Sequence, residues 1–362
     1  MTRSTDNPWL SRFALLTAAA TLFLVGLGGV VTSKGVGMAV PDWPNTFGQN
    51  PFFFPFSKWV GGVFYEHSHR LVASGVGLLT TMLAAWLWLK ESRPWLRGLG
   101  IIAFFAVVLQ GILGGLRVVL DKHGLGTELG IFHATIAQLF FVLICSIALF
   151  ATRWWQSLPP EQLGSSKHSR LRHCFLLTTL LILGQLILGA TMRHQHAGLA
   201  IPDFPLAYGK IWPAVDADSV AAYNQNRMEV QAYNPITAFQ IGLQMTHRIV
   251  AGLILFAVVL SVRQAERQLG WKNPLVRLSL VWLGLVAIQI ALGVATIWSG
   301  KKVDVTTAHV AVGALSLVNG ALLTIVAFRC FRIAREQVVS PVTRCASPAD
   351  FTPTPSRVAQ LR

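Results

Sequence analysis

The sequence predicts an all-α integral membrane protein: eight transmembrane helices forming two tandemly duplicated four-helix bundles. Three observations predict it. Hydrophobic residues make up 53% of the 362 positions and charged residues 12%, with a mean hydropathy of +0.54, which excludes an ordinary soluble domain. Eight apolar runs follow one another, at 13–31, 69–89, 98–118, 130–151, 173–192, 245–262, 275–297 and 306–328. Each approaches the roughly 20 residues that a hydrocarbon core of about 30 Å requires. Finally, motifs in the first four runs return in the same order in the last four.

In chain order, Arg3 and Arg12 precede the first run in the manner of a signal peptide. The run is too long for a signal h-region and lacks a cleavage site, so it reads as a first membrane helix. The external loop 32–65 carries Pro41-Asp42-Trp43-Pro44 and Phe52-Phe53-Phe54-Pro55-Phe56, the composition of a segment packed at the membrane interface. Glu66-His67-Ser68-His69-Arg70 opens the second run. Lys90, Arg93 and Arg97 separate the second and third runs, and Arg153, Lys167, Arg170 and Arg172 the fourth and fifth. A second external loop, 193–244, carries Pro202-Asp203-Phe204-Pro205 and ends at Gln244-Met245-Thr246-His247-Arg248, where the sixth run opens. Arg263, Arg267, Lys272 and Arg277 follow that run, and Arg329, Arg332 and Arg335 the eighth.

Basic residues mark the cytoplasmic ends of membrane segments, so this alternation places both termini in the cytoplasm of a cell (inner) membrane. The net charge of +15 is then a topology signal in a lipid bilayer and does not indicate nucleic acid. The domains are 1–152, an N-terminal bundle; 153–172, a cytoplasmic linker; 173–335, a C-terminal bundle; and 336–362, a disordered tail rich in Pro, Ser and Thr. Cys145, Cys174, Cys330 and Cys345 fall in helices or on the cytoplasmic side, a pattern that predicts neither a disulfide nor a zinc site.

The repeat is specific. Gly28 through Pro44 aligns with Gly189 through Pro205 at an offset of 161. His69-Arg70 aligns with His247-Arg248 at 178, Gln110-x-x-x-Gly114 with Gln289-x-x-x-Gly293 at 179, and His133 with His309 at 176. An even number of helices per repeat gives both halves the same orientation.

Ionisable groups at membrane depth are costly and tend to mark function. Each half offers two such histidines, His69 with His133 and His247 with His309. Paired neutral imidazoles on facing helices suit bis-histidine haem ligation, which makes these four the candidate iron ligands. Arg70 and Arg248 are candidate partners of haem propionates. Gly75, Gly77, Gly114, Gly115, Gly252, Gly293 and Gly313 leave room for a flat macrocycle. Asp42 and Asp203, flanked by proline, read as turn formers, and the glutamines of Gln-x-x-x-Gly as interhelical hydrogen-bonding groups. His123, His194 and His196 read as solvated loop residues. The asymmetry that matters is Glu66 against Gln244: a carboxylate can take up a proton and an amide does not readily do so, which makes Glu66 the catalytic candidate. The alternatives are a di-haem membrane cytochrome b confined to electron transfer and a non-catalytic haem-carrying assembly factor.

Glu66-x-x-His69-Arg70, Phe132-His133-Ala134, Thr246-His247-Arg248 and Ala308-His309, in eight helices, resemble the heme A synthase family to about Phe328. The resemblance implies an oxidoreductase that converts the C8 methyl of heme O to a formyl group by successive hydroxylations and loss of water, in cytochrome oxidase biogenesis. It implies heme O and heme A as substrate and product between His69 and His133, with Glu66 in proton transfer, and haem b as cofactor between His247 and His309. The partners it implies are an electron acceptor, heme O synthase (the protohaem farnesyltransferase), cytochrome oxidase assembly factors and further copies of the chain. Some members carry a cysteine pair in the first external loop; here that loop has none, so a mechanism needing a thiol pair there does not apply.

Overall fold

The first long helix, α1 (Pro8–Ser33), starts where the Asn7 side chain accepts the Trp9 and Leu10 N–H groups and proline occupies the first turn. It belongs to a computed structural model that describes residues 7–158, 162–163, 166–226 and 235–332. Seven more helices of membrane-spanning length and apolarity follow among the described residues: α2 (Gly61–Lys90), α3 (Pro94–Val119), α4 (Gly126–Phe150), α5 (Ser166–His194), α6 (Ala238–Leu269), α7 (Pro274–Trp298) and α8 (Val303–Cys330). The chain is a multi-pass membrane protein. The assigned tail and Cys345 lie outside the described residues.

Each predicted run is a helix, and each helix is longer than its run. The extensions that bear on the site are at the external-loop ends of α2 and α6, which start at Gly61 and Ala238. Hydropathy alone reads these turns as loop because they hold Glu66, Gln240 and Gln244. The backbone continues as helix because those polar groups find partners, including a capping box between Thr237 and Gln240. The histidine motifs consequently lie about two turns inside their helices.

Packing divides the helices into two rings. In the first half α1, α2, α3 and α4 touch in sequence and α1 closes on α4; in the second, α5, α6, α7 and α8 do the same. The rings meet through α1 and α4 on one side and α5 and α8 on the other. One continuous apolar core runs through both, from Leu10 and Ala14 on α1 to Leu323 and Val326 on α8. Large apolar side chains such as Phe23, Trp88, Phe105 and Phe256 point outward, as lipid-facing residues do. Cations latch helix ends away from the long loops: Arg93 bonds Glu91 and the Phe150 carbonyl, and Arg172 the Phe331 carbonyl. The sole strand pairing among the described residues is two residues long, Gln162–Leu163 beside Phe331–Arg332.

Candidate functional site

Glycines of the preceding helices position the four histidines. A Cβ on Gly28 of α1 would come within 3.3 Å of Cε1 of His69 on α2. Gly114 of α3 stands to His133 of α4 in the same way at 3.3 Å, Gly189 of α5 to His247 of α6 at 3.4 Å, and Gly293 of α7 to His309 of α8 at 3.3 Å. Three of those distances are tighter than ordinary side-chain contact and the fourth is at its lower bound, so each ring edge lies close against a neighbouring glycine. The sequence motif Gln-x-x-x-Gly has its explanation here. One turn before the glycine, the amide of Gln110 donates to the His133 carbonyl at 3.4 Å, that of Gln185 to the His247 carbonyl at 2.8 Å, and that of Gln289 meets the His309 ring at 3.4 Å. On α1 the corresponding residue is Leu24, so His69 has the glycine without the amide.

His69 lies in electrostatic range of His133, and His247 of His309, so each half brings its pair together. In all four the Nδ1 atom is buried with no hydrogen-bond partner. A buried ring nitrogen without a partner is unfavourable unless another ligand uses the imidazole. Two such rings per half, edged by glycine, fit the donor set of a bis-histidine iron porphyrin. No cluster of three or more His, Cys, Asp or Glu occurs among the described residues.

The loop ends of both pairs are closed by one construction used twice. In the first half, Trp43-Pro44 is cis and Asp42 accepts the N–H groups of Phe47 and Gly48 at 2.8 and 2.7 Å. In the second, Phe204-Pro205 is cis and Asp203 accepts those of Tyr208 and Gly209 at 2.7 and 2.8 Å. Both aspartates form turns. Partial burial works to raise the Asp42 carboxyl, but the Gly48 and Phe47 N–H groups, with the Arg70 charge, hold it below its ordinary value.

The two motif arginines serve these loops. Arg70 donates to the carbonyls of Asp42, Asn45 and Val40 and to Glu66 Oε1 at 2.6 Å. Arg248 donates to the carbonyls of Asp203 and Leu206. Glu66 is buried, 3% exposed, and its Oε2 accepts the Val40 N–H at 2.8 Å. Gln244 is equally buried, accepts the Ile201 N–H at 2.6 Å and returns its amide to the Ile201 carbonyl at 3.2 Å.

Two other histidines sit where sequence reasoning does not put them. His67 is fully buried beneath the first loop, its Nδ1 3.2 Å from the Thr46 hydroxyl and its ring against Trp59 and Phe54. His194, expected in a solvated loop, is instead the last residue of α5 and packs directly on Gly130 of α4. The contact between halves pulls it in. Beside it Arg193 donates to the Gly29 carbonyl at 2.5 Å and to Ser33 on α1, and Ser33 bonds Thr306 of α8 at 2.9 Å. Sequence reasoning passed over Gly28 and Gly189 as ring contacts; their place in the aligned repeat was the available signal.

A family profile described as cytochrome oxidase assembly protein matches residues 11–320, a span that holds all four histidines. The chain is similar to a heme A synthase of Shouchella clausii, 28% identical over 291 residues that cover 80% of this chain and 86% of that one. A heme A synthase of Rhizorhabdus wittichii is 26% identical, covering 85% and 91% of the two chains. One from Halalkalibacterium halodurans is 23% identical over 91% and 99%.

Proposed function

The chain belongs to the cytochrome oxidase assembly protein family, and we propose on that premise that it is a heme A synthase, oxidising the C8 methyl of heme O to a formyl group. The observation that carries the reading is the family match across both half-buried histidine pairs. Two hydroxylations followed by loss of water turn the methyl into the aldehyde, a four-electron oxidation overall that requires an external electron acceptor.

The assignment of roles rests on the difference between the halves. His69 and His133 hold heme O, the substrate, and His247 and His309 hold haem b. When bound, haem b supplies one-electron transfer. Glu66 handles a proton at its carboxylate near the substrate. Arg70, 2.6 Å away, fixes the position of that carboxylate. Gln244, at the matching place, lacks this capacity, which is why the substrate is assigned to the first half. Arg70 and Arg248 fasten the loops that shut each site from water. Tandem duplication accounts for the matched loops, glycines and histidines. The bundles extend over 1–152 and 173–335, with both termini cytoplasmic by the distribution of Lys and Arg.

The test is expression beside a source of heme O, with extracted haems identified by mass. Heme A should accumulate with the parent chain. Glu66→Gln should retain bound haem and lose most of the turnover. Bound haem b with no heme A from the parent chain would favour the electron-transfer cytochrome instead.

A further inference from the structure

One strong cation near the first histidine pair has no place in the account above. Arg117 lies three residues after Gly114, so both share a face of α3. Gly114 supports the ring of His133, which puts Arg117 one turn nearer the loop than that contact. Its guanidinium lies against the backbone at Gly37, where a Cβ would come within 3.2 Å of Nη2. His69, His133 and Glu66 are all within its electrostatic range. Its Nε is buried without a hydrogen-bond partner. The neighbouring guanidiniums are committed: Arg70 to the loop and Glu66, Arg193 to Gly29 and Ser33. In the second half the aligned residue is Thr296, whose hydroxyl returns to its own helix at Leu292.

A half-buried guanidinium whose buried Nε is an unused donor favours an anion of matching planar geometry. We propose that Arg117 binds a propionate carboxylate of the tetrapyrrole held between His69 and His133, and so orients that macrocycle. The inference rests on the haem reading of the first half. It deepens that reading, because the C8 methyl and a propionate occupy the same pyrrole ring. A hold on that propionate fixes which edge of heme O is presented toward Glu66. Arg117 is thus a positioning residue for the reaction, and the second half, with threonine there, leaves its haem without this hold.

The experiment uses the purified full chain loaded with protohaem or with its dimethyl ester, which lacks carboxylates. Release to apomyoglobin is followed by Soret absorbance, and the phase missing from His69→Ala is assigned to the first half. Arg117→Gln should speed that phase about 10- to 100-fold for protohaem, the loss of one charge-assisted hydrogen bond, and leave the ester unchanged. Arg117→Lys should restore part of the difference. The parent chain by itself should release the ester from the first half faster than protohaem, a comparison that needs no variant. Equal release of both haems by the parent, or equal acceleration of both by Arg117→Gln, would overturn the role of Arg117 while the bis-histidine spectrum persists. A parent chain with no bis-histidine spectrum would overturn the haem reading beneath it.

Discussion

At one matched residue of each loop the first half uses an acid and a base, the second a single amide. At Val40 the N–H goes to Glu66 and the carbonyl to Arg70; at Ile201 both go to Gln244. The backbone outcome is the same, a cis X-Pro turn held down over a histidine pair. The second half holds its loop with that amide and with Arg248 on the carbonyls of Asp203 and Leu206. A buried carboxylate is costlier to keep than a buried amide. A carboxylate where the second half has an amide is the difference on which the proton-handling role proposed for Glu66 rests.

The sharpest way to break the comparison is to remove one ligand from each half. His69→Ala and His247→Ala should each lose about half of the bound haem, from their own half only, because each pair is a separate donor set. Haem-to-protein ratios on the purified chains check this. If either variant lost both haems, the two sites would not be independent. A middle-sized effect should come from reversing the anchor. Gln244→Glu turns an amide donor into an acceptor facing the Ile201 and Gly198 carbonyls, leaving a buried carbonyl unpaired at a cost of about 1–3 kcal/mol. Thermal unfolding in detergent should register it; unfolding identical to the parent would show that the amide donor is dispensable.

The smallest effect concerns the turns. Asp42 is held below its ordinary 3.8, so its contribution to the first loop is complete above that pH and is lost as pH falls through the lower folded value. Trp43 fluorescence should change below about pH 4, and Asp42→Asn should remove that change. A Trp43 signal indifferent to acid in the parent would show that the turn does not depend on the ionised carboxylate.

Much of this was legible in the sequence, and the parts that were not share a cause. Eight runs announced eight helices because hydropathy is a local property, and the histidine motifs announced themselves by recurring. The loop ends of α2 and α6 were misplaced because Glu66 and Gln244 read as polar, hence outside. Their partners, the backbones of Val40 and Ile201, are fixed only by tertiary structure. Arg70 and Arg248 carry charge suited to a propionate, and only the fold reveals that each also donates to loop carbonyls. The same holds for His194, which composition assigns to a loop and the meeting of α4 with α5 draws inside.

The position of α8 has a consequence for how the protein is made. It is the most enclosed of the eight helices, 56% buried over its most apolar stretch where the others reach at most 39%, and it packs on α1, α4, α5 and α7. It is also the last of them to leave the ribosome. The helix on which α1, α4, α5 and α7 pack is the last of the eight to be synthesised. Both histidine pairs thus share one late event of membrane insertion: α8 brings His309 and closes the second ring, and it buttresses α1 and α4 of the first.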